Sequence, residues 1–176
     1  MQVSYQTPPR TLLEVFRMLP EGTCAELIDN SLYMSPAPTS NHQEVSITLA
    51  SLLYIHTQRK KIGKAFAAPI DVYLSKTNVF QPDIIFISNE NAGIIKEDGI
   101  YGAPDLVIEI LSVGTRKLDL TKKKDAYEKA GVKEYWVVDP DTKSAVGFQA
   151  TQGKFVEFKN EKGKLRSLLL KHTLKF

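Results

Sequence analysis

Asp105-Leu106-Val107-Ile108-Glu109-Ile110-Leu111-Ser112 places one carboxylate in the middle of an apolar run. A segment this rich in Val, Ile and Leu predicts a strand covered on both faces, at the centre of an α/β sheet. An ionised glutamate there costs several kcal/mol unless a cation or strong hydrogen-bond donors offset it. Glu109 therefore requires a compensating partner, and the flanking sequence offers candidates.

Upstream, Phe80–Ile87 reads as a strand containing Gln81-Pro82-Asp83, whose proline marks the start of the strand or an edge. Asp83 opens the apolar stretch Ile84-Ile85-Phe86-Ile87, which places it at a strand end. Residues 88–104 are polar and read as an irregular loop. Downstream, Lys117–Ala130 reads as a helix stopped by Gly131, with Leu120, Tyr127 and Ala130 as its apolar stripe and Ala126 at the margin. At about 100° per residue, Lys123 falls in the middle of that stripe. Lysine is almost never fully buried unless paired. The helix follows the Glu109 strand directly, so its inner face packs on the same sheet and Lys123 comes within reach of the carboxylates. The plainer alternative is a lysine whose stem is covered and whose ammonium is solvated.

Asp83 and Glu109, brought together, would repel and raise each other's pKa unless a divalent cation bridged them. Oxygen-only ligands favour magnesium or manganese over zinc. The competing explanation is a buried acid held by Arg, Lys or backbone N–H groups.

The rest of the chain frames these residues. Thr11–Met18 predicts a short helix carrying Leu12, Val15 and Phe16, with Leu19 just beyond. Ala25–Ile28 and Leu32–Met34 flank Asp29-Asn30-Ser31, a hairpin turn. After Ser35-Pro36-Ala37-Pro38, a helix over about 41–59 is expected, with Ser40 as N-cap and Gln43 completing a capping box. His42, Val45, Leu49, Leu52, Leu53 and His56 share one face of it. Ile70–Leu74 alternates as a strand, and Glu134–Val138 is a further strand in which Tyr135 and Trp136 read as core aromatics. Ala145–Gln149, Lys154–Phe158 and Leu168–Leu170 read as small antiparallel strands.

Composition sets the bounds. The 176 residues, 43% apolar and 24% charged, suit one soluble domain over 1–176, with a core at about 11–148 and a basic β extension at 149–176. No apolar stretch approaches the ~20 residues needed to span a bilayer, so no membrane association is expected. Met1–Pro9 lacks the basic and apolar regions of a secretory signal. Lone Cys24 excludes an intramolecular disulfide and a Cys-cluster zinc site, and a reducing, cytoplasmic setting follows as the expectation. The net charge of +3 is small, but seven Lys/Arg against two Glu fall in 151–176. Lys60, Lys61, Arg116, Lys117 and Lys124 belong to further basic clusters of the kind that contact phosphates. Charge runs also serve simply as solvated faces.

In order, Glu26-Leu27-Ile28-Asp29, Ser35-Pro36-Ala37-Pro38 with His42-Gln43, Ala68-Pro69-Ile70-Asp71-Val72 and Gln81-Pro82-Asp83 precede the Glu109 strand. Thr115-Arg116 with Asp119, Lys123 and Tyr127, then Gly131-Val132-Lys133-Glu134-Tyr135-Trp136-Val137-Val138-Asp139-Pro140, follow it. This combination, spanning about residues 11–148, resembles a restriction-endonuclease-like family of the PD-(D/E)XK nuclease superfamily. The resemblance implies a mixed central sheet flanked by helices, and an α+β fold with an N-terminal hairpin and C-terminal antiparallel strands. It also implies a magnesium- or manganese-dependent nuclease acting on nucleic acid, with DNA the expected substrate.

By that resemblance, Asp83 and Glu109 are the two acidic ligands, joined by the backbone carbonyl of Ile110. Leu111 stands where the superfamily's usual lysine would be, and Lys123 matches the family's displaced lysine. The helical spacing selects the same residue independently. Lys123 is expected to orient or help deprotonate water, and His42 to contact phosphate or support the site. Glu26, Asp71 and Gln81 are supporting candidates. Val113-Gly114 replaces a usual Pro-Ser, and Asn30 a usual glycine, which Asn tolerates through its left-handed backbone preference. A homodimer is expected on the general symmetry of such assemblies. A catalytically silent nuclease fold that binds nucleic acid, or a protein-interaction module with architectural charges, remains the alternative.

Overall fold

The computed structural model describes residues 8–176. Met1–Thr7, part of the segment considered for targeting signals, lie outside the described residues. In chain order the elements are α1 (Leu12–Arg17), β1 (Ala25–Ile28), β2 (Ser31–Met34), α2 (Ser40–Lys60), β3 (Gly63–Ala67), β4 (Val72–Tyr73), β5 (Val79–Phe80) and β6 (Ile84–Ser88). They continue with β7 (Ile95–Lys96), β8 (Gly99–Tyr101), β9 (Leu106–Ile110), α3 (Arg116–Leu118), α4 (Lys124–Ala130), β10 (Glu134–Val138), β11 (Ser144–Thr151), β12 (Lys154–Lys162), β13 (Lys164–Ser167) and β14 (His172–Lys175).

The central sheet runs β12-β11-β10-β9-β6-β3, with β9 and β10 parallel and the other neighbours antiparallel. The strand bearing Glu109 is thus an inner strand, as its apolar run requires. Even-numbered residues Leu106, Ile108, Ile110, Ile84, Phe86, Trp136 and Val138 form one core with Val45, Leu49 and Leu53 of α2 and Leu165 and Leu174 of the β13–β14 hairpin. Val107, Ile85, Ile87, Tyr135 and Val137 face the other way, against Tyr127 and Ala126 of α4 and against Ile28, Val72, Phe80 and Ile100. The last four belong to a second mixed sheet, β2-β1-β5-β4-β8-β7. Strand alternation therefore sends Glu109 toward α4 and the second sheet, away from α2.

The expected strand Phe80–Ile87 divides at Gln81-Pro82-Asp83 into β5 and β6, which join different sheets. Pro82 lacks the N–H that a continuous ladder needs. Asp29 and Asn30 take left-handed backbone (φ 48° and 55°) and close the predicted β1–β2 hairpin. Helix α2 starts one residue earlier than expected. Thr39, extended at φ −72°, ψ 161°, is its N-cap and accepts the His42 N–H at 3.3 Å; Ser40 is already helical. Loop 88–104 contains a short helical turn and the β7–β8 hairpin.

In the tail, Leu168–Leu170 is a turn and not a strand; β13 and β14 pair on either side of it. Only Leu170 of those three leucines is buried. The strands follow the alternation that puts Leu165 and Leu174 inward, which outweighs local apolar content. Among the described residues, no helix is long and apolar enough to cross a membrane.

Candidate functional site

Glu109 emerges from β9 with its backbone fixed between β6 and β10, where Val137 is its partner on β10. The β6–β9 register pairs Ile84 with Ile108. Continuing it by one residue sets Asp83 across from Glu109, and Asp83 Oδ2 accepts the Ile110 N–H at 2.7 Å. The two expected acids are thus brought to one end of neighbouring strands.

Lys123 arrives from the helical segment after β9. Its ammonium lies 2.7 Å from Glu109 Oε1, 2.9 Å from Glu26 Oε1 and 3.2 Å from Asp119 Oδ1, and the side chain is only 3% exposed. The Phe80 ring lies beneath it, 5.6 Å from Nζ to centroid. Tyr127 donates to the same Glu109 oxygen at 2.7 Å. The Gln81 N–H donates to Glu26 Oε1 at 2.8 Å, so one Glu26 oxygen takes both this N–H and the Lys123 ammonium.

The helix delivering Lys123 is not a uniform α-helix. Residues Asp119–Lys123 form a π-turn between α3 and α4. The wider turn rotates the preceding residues relative to the predicted stripe, so Leu120 is 42% exposed while Asp119 is buried in its stead. Tyr135 donates to the Asp119 carbonyl at 2.8 Å and ties the π-turn to β10. Leu120 is therefore not part of the inner stripe; Tyr127 and Ala126 are.

Electrostatics follow from one ammonium facing three carboxylates. Burial alone would lower the Lys123 pKa, but Glu109, Glu26 and Asp119 raise it well above its usual value. Lys123 remains an ammonium. Burial, with Asp119, Asp83 and Glu26 nearby, pushes Glu109 well above the ordinary carboxyl range despite Lys123. Asp119 is raised for the same first reason, burial, against the pull of Lys123.

His42, on the other side of the sheet end, supplies a further contact. Its Nε2 lies 3.0 Å from the Ile110 carbonyl and 3.3 Å from Asp83 Oδ1. A carbonyl only accepts, so Nε2 carries the proton. The buried Nδ1 has no partner among the described residues. Burial lowers the His42 pKa, and the Asp83 hydrogen bond and charge outweigh it, leaving it above 6.5.

Carboxylate and carbonyl oxygens are the donor type that a hard divalent cation takes. Asp83 Oδ1 and the Ile110 carbonyl already converge on a single proton donor, and the carboxylates outnumber the cationic side chains. Among the described residues no group of three or more His, Cys, Asp or Glu side chains is gathered in metal-holding geometry. The Ile110 carbonyl and solvent would have to complete the shell, as is usual for magnesium.

A family model described as "Putative restriction endonuclease", Uma2, matches residues 12–174. The chain belongs to the Uma2 family. A crystal structure of a "putative nuclease belonging to DUF820" from Anabaena variabilis ATCC 29413 superposes with a TM-score of 0.74 at 23% identity, covering 92% of this chain and 91% of that one. The fold of this Uma2 protein is accordingly restriction-endonuclease-like, an α+β arrangement of mixed sheets and flanking helices. No match was found among curated proteins.

The remaining expected residues of this Uma2 chain divide into near and far. Gln81 Nε2 donates to Asp71 Oδ1 at 2.9 Å and to the Thr23 carbonyl at 3.1 Å. Asp71 and Gln81 line a cavity of about 750 Å³ beside Arg17, Tyr73 and Tyr101. That cavity does not include Asp83, Glu109 or Lys123, so Asp71 borders the cluster only through Gln81. Arg116 Nη1 is bound to Asp139 Oδ2 at 3.0 Å, Lys117 is exposed, and the Lys124 ammonium sits 3.9 Å from the Phe148 ring centroid. Lys60 and Lys61 lie at the far end of α2 from His42. Asp119 and Tyr127 are contacts of the site that sequence reasoning did not place among its candidates; Asp119's i,i+4 spacing to Lys123 is the signal that points to it.

Proposed function

We propose that this chain is a magnesium- or manganese-dependent endonuclease that hydrolyses phosphodiester bonds, with DNA as substrate. The observation that carries the reading is the buried surplus of negative charge around Glu109: three carboxylates on one lysine, with Asp83 bound to the next residue's N–H. Structural acids are normally saturated by donors, whereas clustered acids with raised pKa values mark functional sites.

Asp83, Glu109 and the Ile110 carbonyl would hold the ion. Bound there, a divalent cation acidifies water and neutralises charge on a phosphate. Lys123 is held as a fixed cation by three acids, so it serves to orient water and stabilise developing negative charge and does not take a proton from water. Glu26 fixes Lys123 from the β1 side. His42, through its Nε2–H on the Ile110 carbonyl and beside Asp83, supports the Asp83 end of the cluster. Arg116, Lys117 and Lys124 border the same helix and are assigned to backbone contacts. A homodimer accounts for cutting both strands of a duplex. The lone Cys24 accords with a reducing, cytoplasmic location.

The test is cleavage of plasmid, linear and single-stranded DNA in magnesium, manganese or EDTA, with Glu109→Ala in parallel. Metal-dependent cutting by the wild-type chain that disappears in the variant supports the reading. A folded wild-type chain that binds DNA without cutting any of these substrates would replace it with the silent nuclease fold.

A further inference from the structure

We propose that Tyr127 is a positioning residue that decides which oxygen of Glu109 is offered to the divalent cation; this rests on the metal-dependent reading above. Glu109 Oε1 receives both the Lys123 ammonium and the Tyr127 hydroxyl, each at 2.7 Å. Its Oε2 has no hydrogen-bond donor among the described residues. One carboxylate oxygen is therefore pinned twice and the other is left free.

Tyr127 is suited to this because it cannot move away. It is fully buried, with its ring edge-on to Phe80 at 5.2 Å and tilted against Tyr135 at 5.3 Å between centroids. Gly131, in left-handed backbone at φ 92°, ends α4 one turn later and fixes the helix end. Lys123 alone would not set the orientation. Its ammonium is shared with Glu26 and Asp119 and can bridge either oxygen of Glu109, whereas the phenol donates a single directional bond.

Outer-shell partners of a metal-binding carboxylate commonly contribute about 10–100-fold to metal affinity. Tyr127→Phe keeps the ring and its packing and removes only the donor. Manganese binding to the full chain is read from the loss of the free-ion electron paramagnetic resonance signal, with Glu109→Gln as control and unfolding followed in EDTA. The expected result is manganese affinity reduced about 10-fold or more in Tyr127→Phe, in a protein that still melts cooperatively. A purely structural phenol would lower the melting temperature and leave the affinity unchanged, and that result overturns the proposal while the Glu109→Gln control upholds the metal site. No manganese binding by the wild-type chain overturns both.

Should Tyr127→Phe fail to fold, 3-fluorotyrosine at position 127 carries the test. Its fluorine resonance is expected to shift on adding magnesium, and an unmoved resonance at saturating magnesium in the folded protein overturns the proposal.

Discussion

Asp105 and Glu109 stand at the two ends of one strand, at 1% and 3% exposure, and their ionisation is biased in opposite directions. Burial would raise Asp105, but Lys133 at 2.6 Å, the Ser88 N–H at 2.7 Å and Asn91 outweigh it and hold the carboxyl below its usual range. Glu109 has Lys123 as well, yet it shares that lysine with Glu26 and Asp119 and stays raised. Glu134, on the next strand, is saturated by Trp136 Nε1 at 2.6 Å and the Leu169 N–H at 2.8 Å. Burial is common to all three acids. Glu109 differs in being enclosed more deeply than Asp105 and in sharing its one cation with two further carboxylates, the condition a divalent cation relieves.

The harshest test of that contrast is Lys123→Met. It strips the shared cation from three buried carboxylates, and breaking such a set costs roughly 3–5 kcal/mol. Urea unfolding should show that loss, together with abolished cleavage; a change below about 1 kcal/mol would mean the acids are solvated or protonated without it.

Next in size is Asp105→Asn, expected to lose about 1–3 kcal/mol at neutral pH by weakening a satisfied buried acid. Because the folded carboxyl lies below 3.8, its contribution is complete above that value and lost as pH falls through the folded pKa. The gap between wild type and Asp105→Asn, measured by denaturant unfolding, should close in acid. Metal affinity of the folded variant should not change.

Glu109 has the opposite sign. Its folded pKa lies above 4.5, so the folded state holds the proton more tightly and ionisation costs stability as pH rises from that value. In EDTA, wild-type stability relative to Glu109→Gln should decline from about pH 4.5 upward, through the raised folded pKa. A difference that grows with pH would contradict the acid surplus.

The smallest effect is predicted for Lys60→Ala combined with Lys61→Ala. These residues end α2 roughly 27 Å from His42 at 1.5 Å per residue. Cleavage in matched salt should change by about 2-fold or less, and a collapse of DNA binding would show that α2's far end carries the substrate.

Much of this site was legible because strong periodicities carried it. Glu109 breaks an apolar run, Asp83 begins one, and Lys123 interrupts a helical stripe, so each stood out against a pattern the core imposes. The π-turn was not legible, since Asp119–Lys123 contains nothing that distinguishes it from an α-helix, and the Tyr135 hydroxyl bound to its first carbonyl comes from a distant strand. The resulting rotation exchanged Leu120 for Asp119 on the inner face. The tail misled for a different reason. Leu168-Leu169-Leu170 is the most apolar triplet there, yet the weaker alternation around Leu165 and Leu174 marks the strands that seal the α2 side of the core. Glu26, assigned only a supporting place, proved a direct partner of Lys123, a long-range contact that no local pattern encodes.

Calorimetric titration of manganese into wild type, Asp105→Asn and Glu109→Gln, with folding checked for each, tests the central claim most directly. The account predicts binding by wild type and Asp105→Asn with the same affinity, and none by Glu109→Gln. Equal binding by Glu109→Gln, or no binding by the wild-type chain, would contradict it.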